Sequence, residues 1–154
     1  MSEKTMAIMI GIQGSGKSTF CQKYLSTFYR INLDTLKTRH QEQLAIDECF
    51  KCGKNLVIDN TNPTADERRK YIHRAKKEGY KIVGYFLESK IKDCIERNNQ
   101  RTGKACIPAK AIAATSNKLQ LPSYDEGFDE LYFVKNNGLD MAIEDWRKQW
   151  NLMI

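Results

Sequence analysis

Eight consecutive residues, Gly11-Ile12-Gln13-Gly14-Ser15-Gly16-Lys17-Ser18, constrain this chain more than any other stretch of it. Gly11 and Gly16-Lys17-Ser18 stand at the spacing of a phosphate loop. Glycines at 14 and 16 let the backbone curl until successive N–H groups face one point. The helix that follows adds its N-terminal dipole, and together they make a cradle for an anion. The context fits as well. Met6 to Ile12 is an almost wholly apolar run suited to a strand covered on both faces, and Lys17 to Phe28 reads as the following helix. Gly11, Gln13, Gly14, Ser15, Gly16, Lys17, Ser18 and Thr19 are therefore expected to hold a nucleoside triphosphate. Lys17 would reach the β- and γ-phosphates, the Ser18 hydroxyl a Mg²⁺ ion, and Thr19 the α-phosphate.

The rest of the chain alternates in the same way. Strands are expected over Tyr29 to Asp34, Asn55 to Asp59, Lys81 to Leu87 and Glu130 to Val134. Helices are expected over Thr35 to about Lys51, from Thr64 to near Gly79, over Lys90 to Arg101, and from Pro108 to about Lys118. Thr64 and Glu67 have the spacing of a capping box. Thr102 to Pro108 reads as a mobile connection, so that about 97–118 forms a lid. Leu139, Ile143, Trp146 and Trp150 recur at helical intervals, which predicts a C-terminal helix over about 139–150. Strand-helix alternation implies one α/β domain over 1–154, a three-layer fold with a parallel sheet and helices on both faces.

In open sheets of this kind the chemistry lies beyond the carboxyl ends of the strands. Asp59 ends the apolar run Leu56-Val57-Ile58 and fits a metal-organising acid; a helix cap is the alternative. Asp34 ends the preceding strand. A carboxylate there suits proton removal from an acceptor hydroxyl, and it equally suits a cap. Arg97 and Arg101, four apart on one helix face, suit closure over the β- and γ-phosphates or a solvated helix end.

The net charge of +6 suits a polyanionic partner. Lys37, Arg39 and His40 follow Asp34 and would line an acceptor groove for phosphates. Arg68, Arg69, Lys70, Arg74, Lys76 and Lys77, interspersed with acids, read as a solvated helix face. Five cysteines are an odd number, and Cys49 and Cys52 have no second pair to complete a metal site, so packing and surface roles are expected. No apolar run approaches the roughly 20 residues that cross a bilayer, and the apolar start runs straight into the phosphate loop. A cytosolic protein without a cleaved leader is expected.

Four motifs in order then bring in a resemblance: GIQGSGKST, INLDTLK, VIDNTNP followed by ERRKYI, and RNNQR followed by Ile107-Pro108. From about Ile8 to about Asp129 the chain resembles the kinase domain of polynucleotide 5′-kinases. The resemblance implies a P-loop kinase fold with five parallel strands in the order 2-3-1-4-5, and ATP and Mg²⁺ as cofactors. It implies an ATP-dependent phosphotransferase acting on a 5′-hydroxyl of DNA or RNA. Asp34 matches the family's general base, Lys17 and Ser18 its ATP and metal residues, Asp59 the acid of the third motif, and Arg101 the lid arginine. Lys37 stands where some relatives carry an arginine, and lysine lacks the bidentate fork. Gln13 stands where proline is common, and the phosphatase or ligase partner of bifunctional members is missing from the 154 residues. Two other readings remain open: a P-loop kinase for a small metabolite, nucleoside or sugar, and a nucleotide-dependent switch or ATPase module.

Overall fold

A computed structural model describes residues 3–101, 106–137 and 140–146. Its centre is β1 (Thr5–Ile10), whose residues Met6 to Ile10 are all buried. Around it lie α1 (Lys17–Tyr24), β2 (Tyr29–Ile31), α2 (Leu33–Leu36), α3 (Arg39–Cys52), β3 (Leu56–Ile58) and α4 (Ala65–Lys77). These are followed by β4 (Lys81–Leu87), α5 (Ile91–Asn98), α6 (Ala109–Lys118), a 3₁₀ turn at Tyr124–Glu126, β5 (Glu130–Asn136) and β6 (Met141–Asp145). The sheet order is β2-β3-β1-β4-β5-β6. The first five strands are parallel, in the order the resemblance implies, and β6 is added antiparallel to β5.

The period of two along each strand sorts the core into two layers. Met6, Ile8, Ile10, Leu56, Ile58, Ile82, Phe86, Leu131 and Phe133 face one side, where Ile46, Cys49, Tyr71, Ile72 and Ala75 of α3 and α4 cover them. Ala7, Met9, Val57, Leu87 and Val134 face the other, where Phe20 and Cys21 of α1 and Leu25 just beyond it close the layer. The expected buried strands are buried because both of their faces carry helices.

The C-terminal helix expected over about 139–150 is corrected. Residues 141–145 form a strand, with Val134 opposite Ile143 and Asn136 opposite Met141. The helical spacing of Ile143 and Trp146 is real but short. The open edge of β5 offers a row of backbone donors and acceptors that only a strand can satisfy. The Trp146 ring then packs against Phe86 and Phe133 at the end of the core. Leu139, Trp150 and residues 102–105 of the expected mobile connection lie outside the described residues.

Other boundaries move for local reasons. The strand expected to reach Asp34 stops at Ile31, because Asn32 caps a new helix by accepting from the Thr35 N–H at 3.1 Å. The helix expected from Thr35 is broken at Lys37, whose φ of 72° no helix tolerates. Thr38 then caps α3 by accepting from Gln41 N–H. Thr64 does cap α4, accepting from Glu67 N–H at 3.2 Å. The Glu67 carboxylate, however, lies 3.9 Å from Lys118 instead of completing a box.

The basic face of α4 is only partly solvated, a second correction. Arg69, Lys70, Lys76 and Lys77 are exposed, but the Arg68 side chain is wholly buried. Arg68 Nε and Nη2 donate to the two Glu126 carboxylate oxygens at 2.7 and 3.1 Å, and Nη1 donates to the Asn62 carbonyl at 2.8 Å. Cys49 packs in the core and Cys52 is exposed. No described helix is long and apolar enough to cross a membrane.

Candidate active site

The turn from β1 into α1 needs glycine at two positions. Gly14 has φ 80° and Gly16 φ 102°, conformations that other residues rarely adopt. A Cβ on Gly14 would collide with the Cys94 carbonyl, and one on Gly16 would come within 2.5 Å of Asn136 Nδ2. The loop is pinned on all sides. Gly11 N–H donates to the Thr61 carbonyl at 3.0 Å, Ile12 N–H to Ser89 Oγ at 3.2 Å, and Asn136 Nδ2 to the Ser15 carbonyl at 3.1 Å. Arg97 Nε donates to the Gly14 carbonyl at 2.6 Å. The backbone amides are thus fixed before any phosphate arrives.

A cleft of about 910 Å³ opens over this loop, large by the standard of small-molecule sites. The loop supplies one wall through Gln13, Gly14, Lys17, Ser18 and Thr19. Asn32 to Asp34 and Asp59 to Pro63 supply a second, and Arg101, Ile107, Thr115 and Lys118 a third. Lys17 Nζ donates to the Ile12 carbonyl at 2.9 Å. Burial lowers the Lys17 ammonium to about 8 from an ordinary 10.5; the Asp59 carboxylate opposes the shift and the Arg101 charge reinforces it. Gln13 Nε2 reaches Thr115 Oγ1 at 3.1 Å and so ties the loop to α6.

The acid at the end of β3 is almost inaccessible: Asp59 is 1% exposed. Its Oδ2 accepts from Ser18 Oγ at 3.1 Å and from Arg30 Nε at 2.6 Å, while Oδ1 has no partner among the described residues. A buried carboxylate oxygen without a partner beside a serine hydroxyl is a hard oxygen donor set, and it fits a Mg²⁺ ion. These two residues would hold it.

Asp34 lies in α2, exposed on the cleft wall. Its position is set from below. Leu33 N–H donates to Asn60 Oδ1 at 2.9 Å, Asn32 Nδ2 donates to the Asp59 carbonyl at 2.7 Å, and Asn60 Nδ2 donates to Glu42 Oε2 at 3.0 Å. Glu42 is itself buried, and its Oε1 accepts from Tyr71 OH at 2.9 Å and from Arg39 Nη1 at 3.2 Å. Burial, with Glu42 alongside, pushes the Tyr71 hydroxyl up to about 12. The paired asparagines of Asp59-Asn60-Thr61-Asn62 are thus structural. Asn60 anchors α2, and Asn62, at φ 44°, donates through Nδ2 to the Met9 carbonyl at 2.7 Å.

The cleft therefore brings together Lys17, Ser18, Asp34, Asp59 and Arg101, along with Arg39. It does not bring in Lys37 or Arg97. Lys37 is exposed away from the lining, and Arg97 supports the loop from behind, with Nη2 also 3.6 Å from Cys94 Sγ. Arg39 lines the cleft, but its guanidinium is engaged by Glu42 and by Tyr71 at 2.9 Å. Sequence reasoning missed Glu42, Asn60 and Arg30. The signal for Arg30 is strand parity: Arg30 pairs with Val57 and so shares a sheet face with Asp59 and α1.

Residues 6–122 match the family model described as an AAA domain, AAA_33. Among curated proteins, the bifunctional polynucleotide phosphatase/kinase of Schizosaccharomyces pombe is 29% identical over 152 residues, 95% of this chain and 36% of that protein. A protein of Acanthamoeba polyphaga mimivirus, provisionally named a bifunctional polynucleotide phosphatase/kinase, is 32% identical over 86% of this chain and 33% of its own length. The chain thus spans about a third of each relative. Among solved structures, a gluconokinase from Sinorhizobium meliloti superposes with a TM-score of 0.59 at 16% identity, over 88% of this chain and 84% of that one. That likeness is one of fold. With the phosphate loop, the buried acid and the five-strand parallel order in place, the chain belongs to the AAA_33 family of AAA domains.

Proposed function

We propose that this protein is an ATP- and Mg²⁺-dependent kinase that transfers the γ-phosphoryl group to a 5′-hydroxyl of DNA or RNA. The observation that carries the proposal is the placing of Asp34 on the wall of the same cleft as Lys17 and the Ser18–Asp59 pair. Hydrolysis alone needs no acid on the acceptor side; transfer to a hydroxyl does. Asp34 takes the hydroxyl proton as the acceptor oxygen attacks, and Lys17 and Arg101 carry charge on the transferring group. Ser18 and Asp59 would hold a Mg²⁺ ion, which would supply charge neutralisation at the phosphates. Polynucleotide relatives and a cleft rim carrying Lys70, Arg101 and Lys118 support a polymeric acceptor. A small-molecule acceptor is the second reading, favoured because Lys37 lies off the cleft and Arg39 is tied to Glu42.

Labelled ATP supplied with 5′-hydroxyl oligonucleotides, and separately with gluconate and nucleosides, separates the two. Label on an oligonucleotide end is the expected result. Label on a small acceptor alone, or hydrolysis without transfer, would overturn the polynucleotide assignment.

The depressed Lys17 value gives a pH signature. The free protein carries a largely neutral Lys17 above pH 8, and bound polyphosphate draws the proton back. ATP binding at pH 9 is therefore expected to take up close to one proton, and affinity to fall about tenfold per pH unit above 8. Calorimetry in two buffers of different ionisation heat measures the uptake; none at pH 9 would remove Lys17 from the phosphate site. For the free protein the sign is also fixed. Charged Lys17 disfavours the folded state at and below pH 8, and that penalty lifts as pH rises from about 8 to 10.5.

A further inference from the structure

Two oxygens and one guanidinium meet at the foot of the cleft. Arg30 Nε donates to Asp59 Oδ2 at 2.6 Å and Arg30 Nη2 to Ser18 Oγ at 3.0 Å, while Ser18 Oγ itself donates to Asp59 Oδ2. Arg30 is thus bound by both side chains that fit the metal. We propose that Arg30 is an internal cation holding the Ser18–Asp59 seat, and that a divalent metal binds there only by displacing its guanidinium. The proposal rests on the P-loop phosphotransferase reading and is independent of the acceptor.

Mutual exclusion follows from size and charge. Mg²⁺ demands oxygens at roughly 2.0–2.1 Å in octahedral geometry. Asp59 Oδ1 is open, but the Ser18 hydroxyl oxygen that completes the seat accepts from Arg30 Nη2 and donates to Asp59 Oδ2, and a second cation beside the guanidinium is repelled. The two residues differ in freedom. The Asp59 side chain is 1% exposed and cannot move aside, whereas that of Arg30 is 40% exposed and lines the open cleft. Arg30 also sits on the three-residue strand β2, so its displacement disturbs little of the sheet.

Exclusion has a quantitative consequence. When one conformer blocks a site, the apparent dissociation constant rises by the inverse of the fraction that is competent. Bare metal therefore binds poorly, and metal arriving on a nucleotide succeeds because the phosphates supply ligands and attract the released guanidinium. Arg30 in this way makes the seat select metal–nucleotide over free metal.

The test uses Mn²⁺ as probe and the full chain without nucleotide, with free Mn²⁺ followed by electron paramagnetic resonance. Arg30→Gln is expected to bind Mn²⁺ at least about fivefold more tightly than the parent. Adding Asp59→Asn to that variant is expected to abolish the gain. Circular dichroism melts in EDTA establish that each variant is folded. If Arg30→Gln is not, Arg30→Met, which removes the charge and keeps much of the length, carries the same threshold. A smaller gain, no change, weaker binding, or a gain that survives Asp59→Asn overturns the proposal. Because no acceptor or ATP is present, the outcome is separate from that of the oligonucleotide assay.

Discussion

Asp34→Asn is expected to lower phosphoryl transfer about 10²- to 10⁴-fold, the range for removing a general base, while ATP binding is unchanged. The substitution keeps shape and polarity but removes proton affinity. Asp34 is exposed, so no buried charge is lost, and the contacts that position it run through its neighbours. Leu33 N–H is held by Asn60, and the Asn32 side chain grips the Asp59 carbonyl. The variant should therefore fold like the parent and retain the slow hydrolysis that the phosphate loop supports alone. Single-turnover transfer and equilibrium ATP binding measure the two halves. Transfer within threefold of the parent would assign Asp34 to a structural role.

Arg68→Ala is expected to cost about 3–5 kcal/mol of folding stability, the usual loss when one partner of a buried ion pair is removed. Total stability for a domain is only about 5–15 kcal/mol, so the variant should approach unfolding at physiological temperature. The reason is that Arg68 joins three segments. It holds both Glu126 oxygens in the 3₁₀ turn and the Asn62 carbonyl, and Asn62 in turn holds the Met9 carbonyl at the end of β1. Without it, the Glu126 carboxylate keeps Ser123 N–H at 2.9 Å but faces no cation at that site. Urea unfolding gives the value, and a loss below 1 kcal/mol would mean that water replaces the guanidinium.

What the residues disclosed, and what they did not, follows a physical division. The phosphate loop, β1 and β4 were legible because their signals are local: glycine conformations, and apolar runs that only a doubly covered strand explains. Lys17, Ser18, Asp34 and Asp59 could be placed at one site because parallel strands deliver their carboxyl ends to one edge, and Arg101 joins them from the segment after α5. Arg68 and Glu42 were misjudged or missed because a charged residue on an amphipathic helix looks solvated until its partner is known. Those partners lie 58 and 29 residues away, in Glu126 and Tyr71. Arg30 was hidden for a related reason, since its role depends on the register of β2 against β3. The β6 segment was misread because four residues at helical spacing carry no information about the edge they will meet.

That edge has a consequence for how the molecule behaves among its own copies. A parallel sheet ends in strands that can recruit another chain. Among the described residues one flank is β2, three residues long, and the other is β6, whose last residues are Glu144 and Asp145. One border offers too few amides to template a neighbour, and the other carries two acidic residues, charges of the kind that discourage edge pairing. The same hairpin that packs Trp146 onto the core thus acts as a barrier to strand exchange. The protein is expected to remain free of self-assembly through its sheet at high concentration.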